Sequence, residues 1–243
     1  QGSAGTLGCS EYIREIFPRV KVAAAEALQC PTLLFNGYGA HRIEGIGDKH
    51  IPWIHNIKNM DIIVDIDDEA TISLMRLFNE PEGKTFLAQT GIVKDFIDKL
   101  DLLGISSIAN ILTAIKTARY YEMNENDILF TLATDSMEMY QSRINEYSET
   151  RGDYTYQQAA IDHAKYLENI GIDHMLELGH YDKRRLHNLK YFTWVEQQGK
   201  DVEELDAQWY DENYWKDKFG SFKELDKKIK EFNEKTGLLK KYL

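Results

Sequence analysis

Apolar and polar positions alternate along the first half of the chain in blocks that predict strands and helices in turn. Cys9 to Phe17 reads as a helix stopped by Pro18. Val20 to Ala27 reads as a strand, and Thr32 to Phe35 as a second. Asp61 to Ile66 (DIIVDI) is a nearly unbroken apolar run of strand length, the type buried on both faces in parallel sheets. Asp67 and Asp68 can cap the helix that follows, which carries Ile72, Met75 and Leu77. Gly83 to Leu103 reads as mostly helical with a break at Gly91, and Ile108, Leu112 and Ile115 recur at helical spacing. Asp127 to Ala133 (DILFTLA) predicts a last strand, with a helix from Ser136.

This βαβα order predicts an α/β fold, a parallel sheet covered by helices. From about Tyr147 strand signals vanish, and tyrosine, tryptophan and charge rise. Ala159, Ala160, Ala164, Tyr166 and Leu167 fit a helix, and Phe222, Leu225, Ile229 and Phe232 form an apolar stripe at helical spacing. The expected division is therefore 1–146, a sheet domain, and 147–243, a helical C-terminal extension.

Composition narrows the functions. Of 243 residues, 43% are hydrophobic, enough for a core. The net charge of -11 disfavours a nucleic-acid partner, since an acidic surface repels phosphate. No apolar run approaches the roughly 20 residues of a membrane span, so no membrane partner is expected. Cys9 and Cys30 make no CxxC pair and no zinc spacing, which reads as two buried free thiols in a reducing, cytoplasmic setting.

Several segments could carry chemistry. Gly2-Ser3-Ala4-Gly5-Thr6 precedes a helix. Small residues there let backbone amides converge on an anion, aided by the helix dipole and by two hydroxyls, although a plain flexible terminus reads equally well. In the loop Ala40 to Pro52, Gly45 and Gly47 allow close backbone approach to a ligand. His41, Glu44 and His50 read better as hydrogen-bonded loop residues than as a metal site. Gly104-Ile105-Ser106-Ser107 leads into a helix, where a serine is either an N-cap or a hydroxyl available to a ring nitrogen. Thr134-Asp135-Ser136 follows a strand-like run, where ligand loops cluster, though capping is the simpler reading.

The order of these segments resembles fold-type II pyridoxal-phosphate (PLP) enzymes, the family of cysteine synthase (O-acetylserine sulfhydrylase) and cystathionine β-synthase. Gly2 to Thr6 stands where that family has its GTGGT phosphate loop. His41-Arg42-Ile43-Glu44-Gly45-Ile46-Gly47, followed by His50-Ile51-Pro52, resembles its HKIQGIG loop and the Phe-Ile-Pro beyond it. Gly104 to Ser107 resembles GISSG, and Leu132 to Tyr140 its PDSGERY turn. The resemblance covers residues 1 to about 143.

What the resemblance implies is specific. The fold would be the large-domain part of a three-layer αβα enzyme. Gly2, Ser3, Ala4, Gly5 and Thr6 would bind the cofactor phosphate, and Ser106 the pyridine nitrogen. Glu44 and Gly45 would border the amino-acid substrate. The activity would be β-replacement or β-elimination on cysteine or an activated serine. A lyase on another β-substituted amino acid, such as diaminopropionate, and a silent module retaining the scaffold are the alternatives. The Schiff-base lysine of the family lies in an N-terminal half that these motifs do not include. That half is the expected partner, within a homodimer, and this chain alone is expected to be inactive. Ala4 for glycine, Glu44 for glutamine and Ile108 for the glycine after the serines depart from the family pattern.

Overall fold

The computed structural model describes residues 5–241. The chain divides into two compact units, one ending at Leu186 and one starting at His187. Residues 147–186 thus pack with the sheet, and the helical remainder starts at 187.

In the first unit, helix α1 (Gly5–Ile16) leads to strand β1 (Ala23–Ala27). The one-turn helix α2 (Thr32–Phe35) and a long loop then lead to strand β2 (Ile62–Ile66). Helices α3 (Asp68–Asn79), α4 (Pro81–Gln89) and α5 (Lys94–Ile97) follow, and then the 16-residue α6 (Ile105–Tyr120). After an irregular stretch come α7 (Gln141–Arg151), α8 (Tyr156–His163) and strand β3 (Met175–Glu177). Helix α9 (His180–Lys190) crosses the boundary between the units.

The sheet has the order β1-β2-β3. The expected parallel pairing is that of β1 with β2, in register from Ala23 opposite Ile62 to Ala27 opposite Ile66. All five residues of β2 are buried, as its unbroken apolar run requires. On one face Ala25, Ala27, Ile62, Val64 and Ile66 join a core with Leu74, Leu77, Ile108 and Leu112 of α3 and α6. Tyr147, Tyr154 and Ala159 of the following segment are buried in that same core.

Three elements differ from the expectation. Thr32–Phe35 is helical, because the Glu26 carboxylate accepts the Leu33 and Leu34 amides and so caps a turn that Asn36 ends at φ 55°. The run 127–133 forms no strand. Ile128 and Phe130 are exposed, and among the described residues no strand pairs with it. Conversely β3, too short to announce itself, adds an antiparallel edge beyond Tyr147. Cys30 is buried as expected, whereas Cys9 is exposed on α1.

In the second unit, α10 (Val202–Tyr210), α11 (Tyr214–Gly220) and α12 (Phe222–Thr236) follow a π-helical stretch, Tyr191–Gln197. Its interior is polar as well as apolar. Buried Lys190 donates to Gln208 Oε1 at 2.8 Å, and Trp215 Nε1 donates to the Gln208 carbonyl at 2.9 Å. The stripe Phe222, Leu225, Ile229 and Phe232 does lie on one helix, with each residue about half exposed. No single helix among the described residues is long and apolar enough to cross a membrane.

Candidate functional site

The N-terminus of α6 is the centre of the candidate site. Gly104 is its cap residue, with no side-chain cap, so Ser106 and Ser107 lie inside the first turn and neither is the N-cap. Both are buried. Ser106 Oγ shares a hydrogen bond of 3.0 Å with Thr134 Oγ1, and Ser107 Oγ accepts the Thr134 amide at 3.2 Å. The turn after the run 127–133 is thereby tied to the helix start by two hydroxyls. Gly104 N also donates to the Asp135 carbonyl at 2.9 Å. A Cβ on Gly104 would run into the Asp135 carboxylate and lie 3.0 Å from the Asp135 carbonyl oxygen, so a larger residue would have to push Asp135 aside. Asp135 and Ser136 do not act as side-chain caps: Ser136 precedes a 3-10 turn without capping it, and Asp135 Oδ2 instead accepts the Tyr140 hydroxyl. Burial, then that bond to Asp135, push the Tyr140 phenol up to about 12.

The third wall is the Ala40–Pro52 loop. Asp67 caps α3 by accepting the Glu69 amide at 3.0 Å. Buried Asp68, next along, accepts the Arg42 amide at 2.7 Å, which fixes the loop to the helix. Ile43 and Ile46 are buried on either side of Glu44 and Gly45. The loop therefore turns outward at Gly45, with φ 85°, a conformation suited to glycine. Among the described residues, a Cβ there would meet only Ser106, at 3.6 Å from its Cβ and 3.7 Å from its Oγ. Glu44 points to Arg143, whose Nε donates to it at 2.7 Å. His41 packs against Gly47, where an added Cβ would lie 2.7 Å from its Nε2. Among the described residues no group of three His, Cys, Asp or Glu is placed to hold a metal.

Gly45, Ser106 and Thr134 are thus brought together from three segments. Of the expected phosphate loop, Gly2, Ser3 and Ala4 lie outside the described residues. Gly5 opens α1, where an added Cβ would meet no described residue within 4 Å, and Thr6 follows within the helix. Arg14 Nη2 holds α1 to Asp61 at 2.5 Å, just before β2. Leu7, Ser10 and Ile13 of α1, with Asn110, Thr113 and Thr117 of α6, line one cavity of about 590 Å³. This cavity lies between α1 and the middle of α6, and Gly5, Gly45, Ser106 and Thr134 are not among the residues that line it. Arg143 carries no motif signal, and Tyr140 closes the PDSGERY-like turn without announcing its partner. Only the fold shows that they reach Glu44 and Asp135.

No family model matches the chain. Comparison with curated proteins finds similarity over part of the chain, in agreement with the order of motifs. Its relatives there are cysteine synthases. Cysteine synthase B of Campylobacter jejuni is 28% identical over 142 residues, 58% of this chain and 40% of that protein. A probable cysteine synthase of Bacillus subtilis is 30% identical over 142 residues, with the same shares of the two chains. The chain spans about 40% of the length of these relatives. Among solved structures, cysteine synthase from Entamoeba histolytica aligns with a TM-score of 0.48 at 24% identity, covering 67% of this chain and 43% of that one. A hydrogen sulfide-producing enzyme of Fusobacterium nucleatum aligns with a TM-score of 0.44 at 22% identity, covering 72% and 45%.

Proposed function

We propose that this chain supplies one wall of a PLP site in an enzyme that performs β-replacement or β-elimination on cysteine or an activated serine. The observation that carries the reading is the convergence of Gly45, Ser106 and Thr134 at the N-terminus of α6. The sequence relationship to cysteine synthases supports it.

The residues fit the cofactor. A serine hydroxyl has one proton and two lone pairs, so the bond to Thr134 leaves Ser106 able to serve a pyridine nitrogen. Unlike a carboxylate, it does not favour protonation of that nitrogen. Gly45 itself puts no side chain against the Ser106 hydroxyl. Gly5 and the first amides of α1 would receive the phosphate, with Gly2, Ser3, Ala4 and Thr6 completing the cradle. When bound, PLP withdraws electrons from the substrate α-carbon. Glu44, tied to Arg143, and Gly45 would border the amino acid. The lysine that anchors the cofactor and moves the α-proton would come from the N-terminal half of the enzyme.

The test is reconstitution. This chain is mixed with the N-terminal half of a cysteine synthase and PLP, and the visible absorbance of bound cofactor is followed. A cofactor band and sulfide release from cysteine are expected, both weakened by Ser106→Ala. A folded complex with no band would instead identify a silent scaffold.

A further inference from the structure

The face of the sheet opposite the α3–α6 core carries two acids side by side. Glu26 of β1 and Asp65 of β2 are register partners, and both are fully buried. Their surroundings differ. Glu26 accepts the Leu33 amide at 2.9 and 3.0 Å through its two oxygens, and the Leu34 amide at 2.9 Å. These are the opening amides of α2. Neither oxygen of Asp65 accepts a hydrogen bond from a described donor, and its carboxyl faces that of Glu26. Two ionised carboxylates cannot share such a place, whereas a pair holding one proton satisfies itself.

We propose that Glu26 is a positioning residue for the Asn36–Pro52 loop, and that a proton carried by Asp65 and donated to Glu26 holds it in that role. The loop begins where α2 ends. Thr32, in the first turn of α2, donates its hydroxyl to the Asp48 carbonyl at 2.7 Å, with the Gly37 carbonyl 3.0 Å away. Fixing the start of α2 therefore fixes both flanks of the turn that presents Glu44 and Gly45. The proton sits on Asp65 because Glu26 already accepts amide donors, which favours its charged form. Burial, then the Glu26 carboxylate, push the Asp65 carboxyl up to about 9, and burial also raises Glu26.

Other charged groups surround the pair. From α6, buried Lys116 donates to the Asp65 carbonyl at 3.1 Å and lies 3.6 Å from Asp173, in the loop before β3. From α9, Arg185 donates to the Leu33 carbonyl at 2.8 Å. Asp67 follows at the start of α3. Lys116 favours loss of the proton, and burial outweighs it. A carboxyl raised in the folded state contributes stability that is full below about pH 4 and lost progressively up to about pH 9.

The positioning of the loop matters for catalysis only if the PLP reading holds, but the shared proton can be tested without cofactor. Urea unfolding of the whole chain is measured from pH 5 to 7 for wild type and Asp65→Asn, whose amide donates to Glu26 without a titrating proton. Other groups cancel in the difference. The wild-type unfolding constant is expected to rise up to tenfold more per pH unit than that of the variant. Parallel profiles would overturn the proposal. If Asp65→Asn fails to fold, carboxyl carbon NMR of the wild type decides: Asp65 is expected not to titrate below pH 7, and a midpoint near 4 would refute it. Glu26→Gln is expected to speed hydrogen exchange at the Leu33 and Leu34 amides, and unchanged exchange would remove the positioning role.

Discussion

Ser106 and Thr134, 28 residues apart in sequence, share a 3.0 Å hydrogen bond that closes the turn after residue 133 onto the first turn of α6. Ser106→Ala removes it. Thr134 is exposed and can turn to water, so the stability loss is expected to be about 1 kcal/mol or less. Cofactor affinity in the reconstituted enzyme is expected to fall about tenfold, as the loss of one hydrogen bond to a ring nitrogen implies. Chemical denaturation measures the first effect and spectral titration the second.

Gly45→Ala places a Cβ where φ is 85° and Ser106 stands 3.6 Å away. The contact is tolerable, but the backbone conformation is not. A destabilisation of about 1–2 kcal/mol is expected from the left-handed conformation, read as a lower thermal midpoint. Gly45→Ala that melted at the wild-type temperature would show that the loop does not hold this turn in solution.

The Tyr140 phenol gives the candidate site a spectroscopic handle. It is pushed up to about 12 by burial and by its hydrogen bond to Asp135. The neutral phenol is the favoured form, so this contribution is present below pH 10 and lost as pH rises through about 12. In Asp135→Asn the midpoint of phenolate absorbance is expected to move down while staying above 10, because burial remains. An unchanged midpoint would mean that the contact does not form.

Glu44 and Arg143 form an ion pair with side chains 40% and 45% exposed. Water screens it, so a double-mutant cycle with Glu44→Gln and Arg143→Ala is expected to yield under about 1 kcal/mol of stability. A larger coupling in substrate affinity than in stability would assign the pair to the substrate wall.

Lys190 stands out in the second unit, where burial lowers its ammonium from the usual 10.5 to about 7. The folded state therefore disfavours the charged form. Stability is expected to fall as pH drops from about 10 to about 7 and to level off below that. Urea unfolding across that range should show a slope approaching tenfold per pH unit, lost in Lys190→Met. A flat wild-type profile would place the amine in water.

Legibility in the sequence followed the range of the interaction. The DIIVDI run declared β2, because a strand buried on both faces leaves no room for polar alternation. Asp67 declared the start of α3, since capping is read within three residues. The Gly104–Ser107 segment was visible as a helix opening with hydroxyls. Thr32–Phe35 misled, because its apolar pattern fits strand or helix and the deciding group, Glu26, lies outside it. The run 127–133 misled for the complementary reason: a strand exists only beside another strand, and that neighbour is not a local property.

By itself the sequence determined which segments are helix or strand where burial leaves a periodic imprint, and which short segments carry hydroxyls, glycines and acids suited to a PLP site. Tertiary structure alone decided that Gly45, Ser106 and Thr134 meet, that Arg143 reaches Glu44, and that Glu26 and Asp65 lie together, fully buried. These are contacts between residues far apart in the chain. Their energies come from desolvation and geometry, which a linear pattern does not encode.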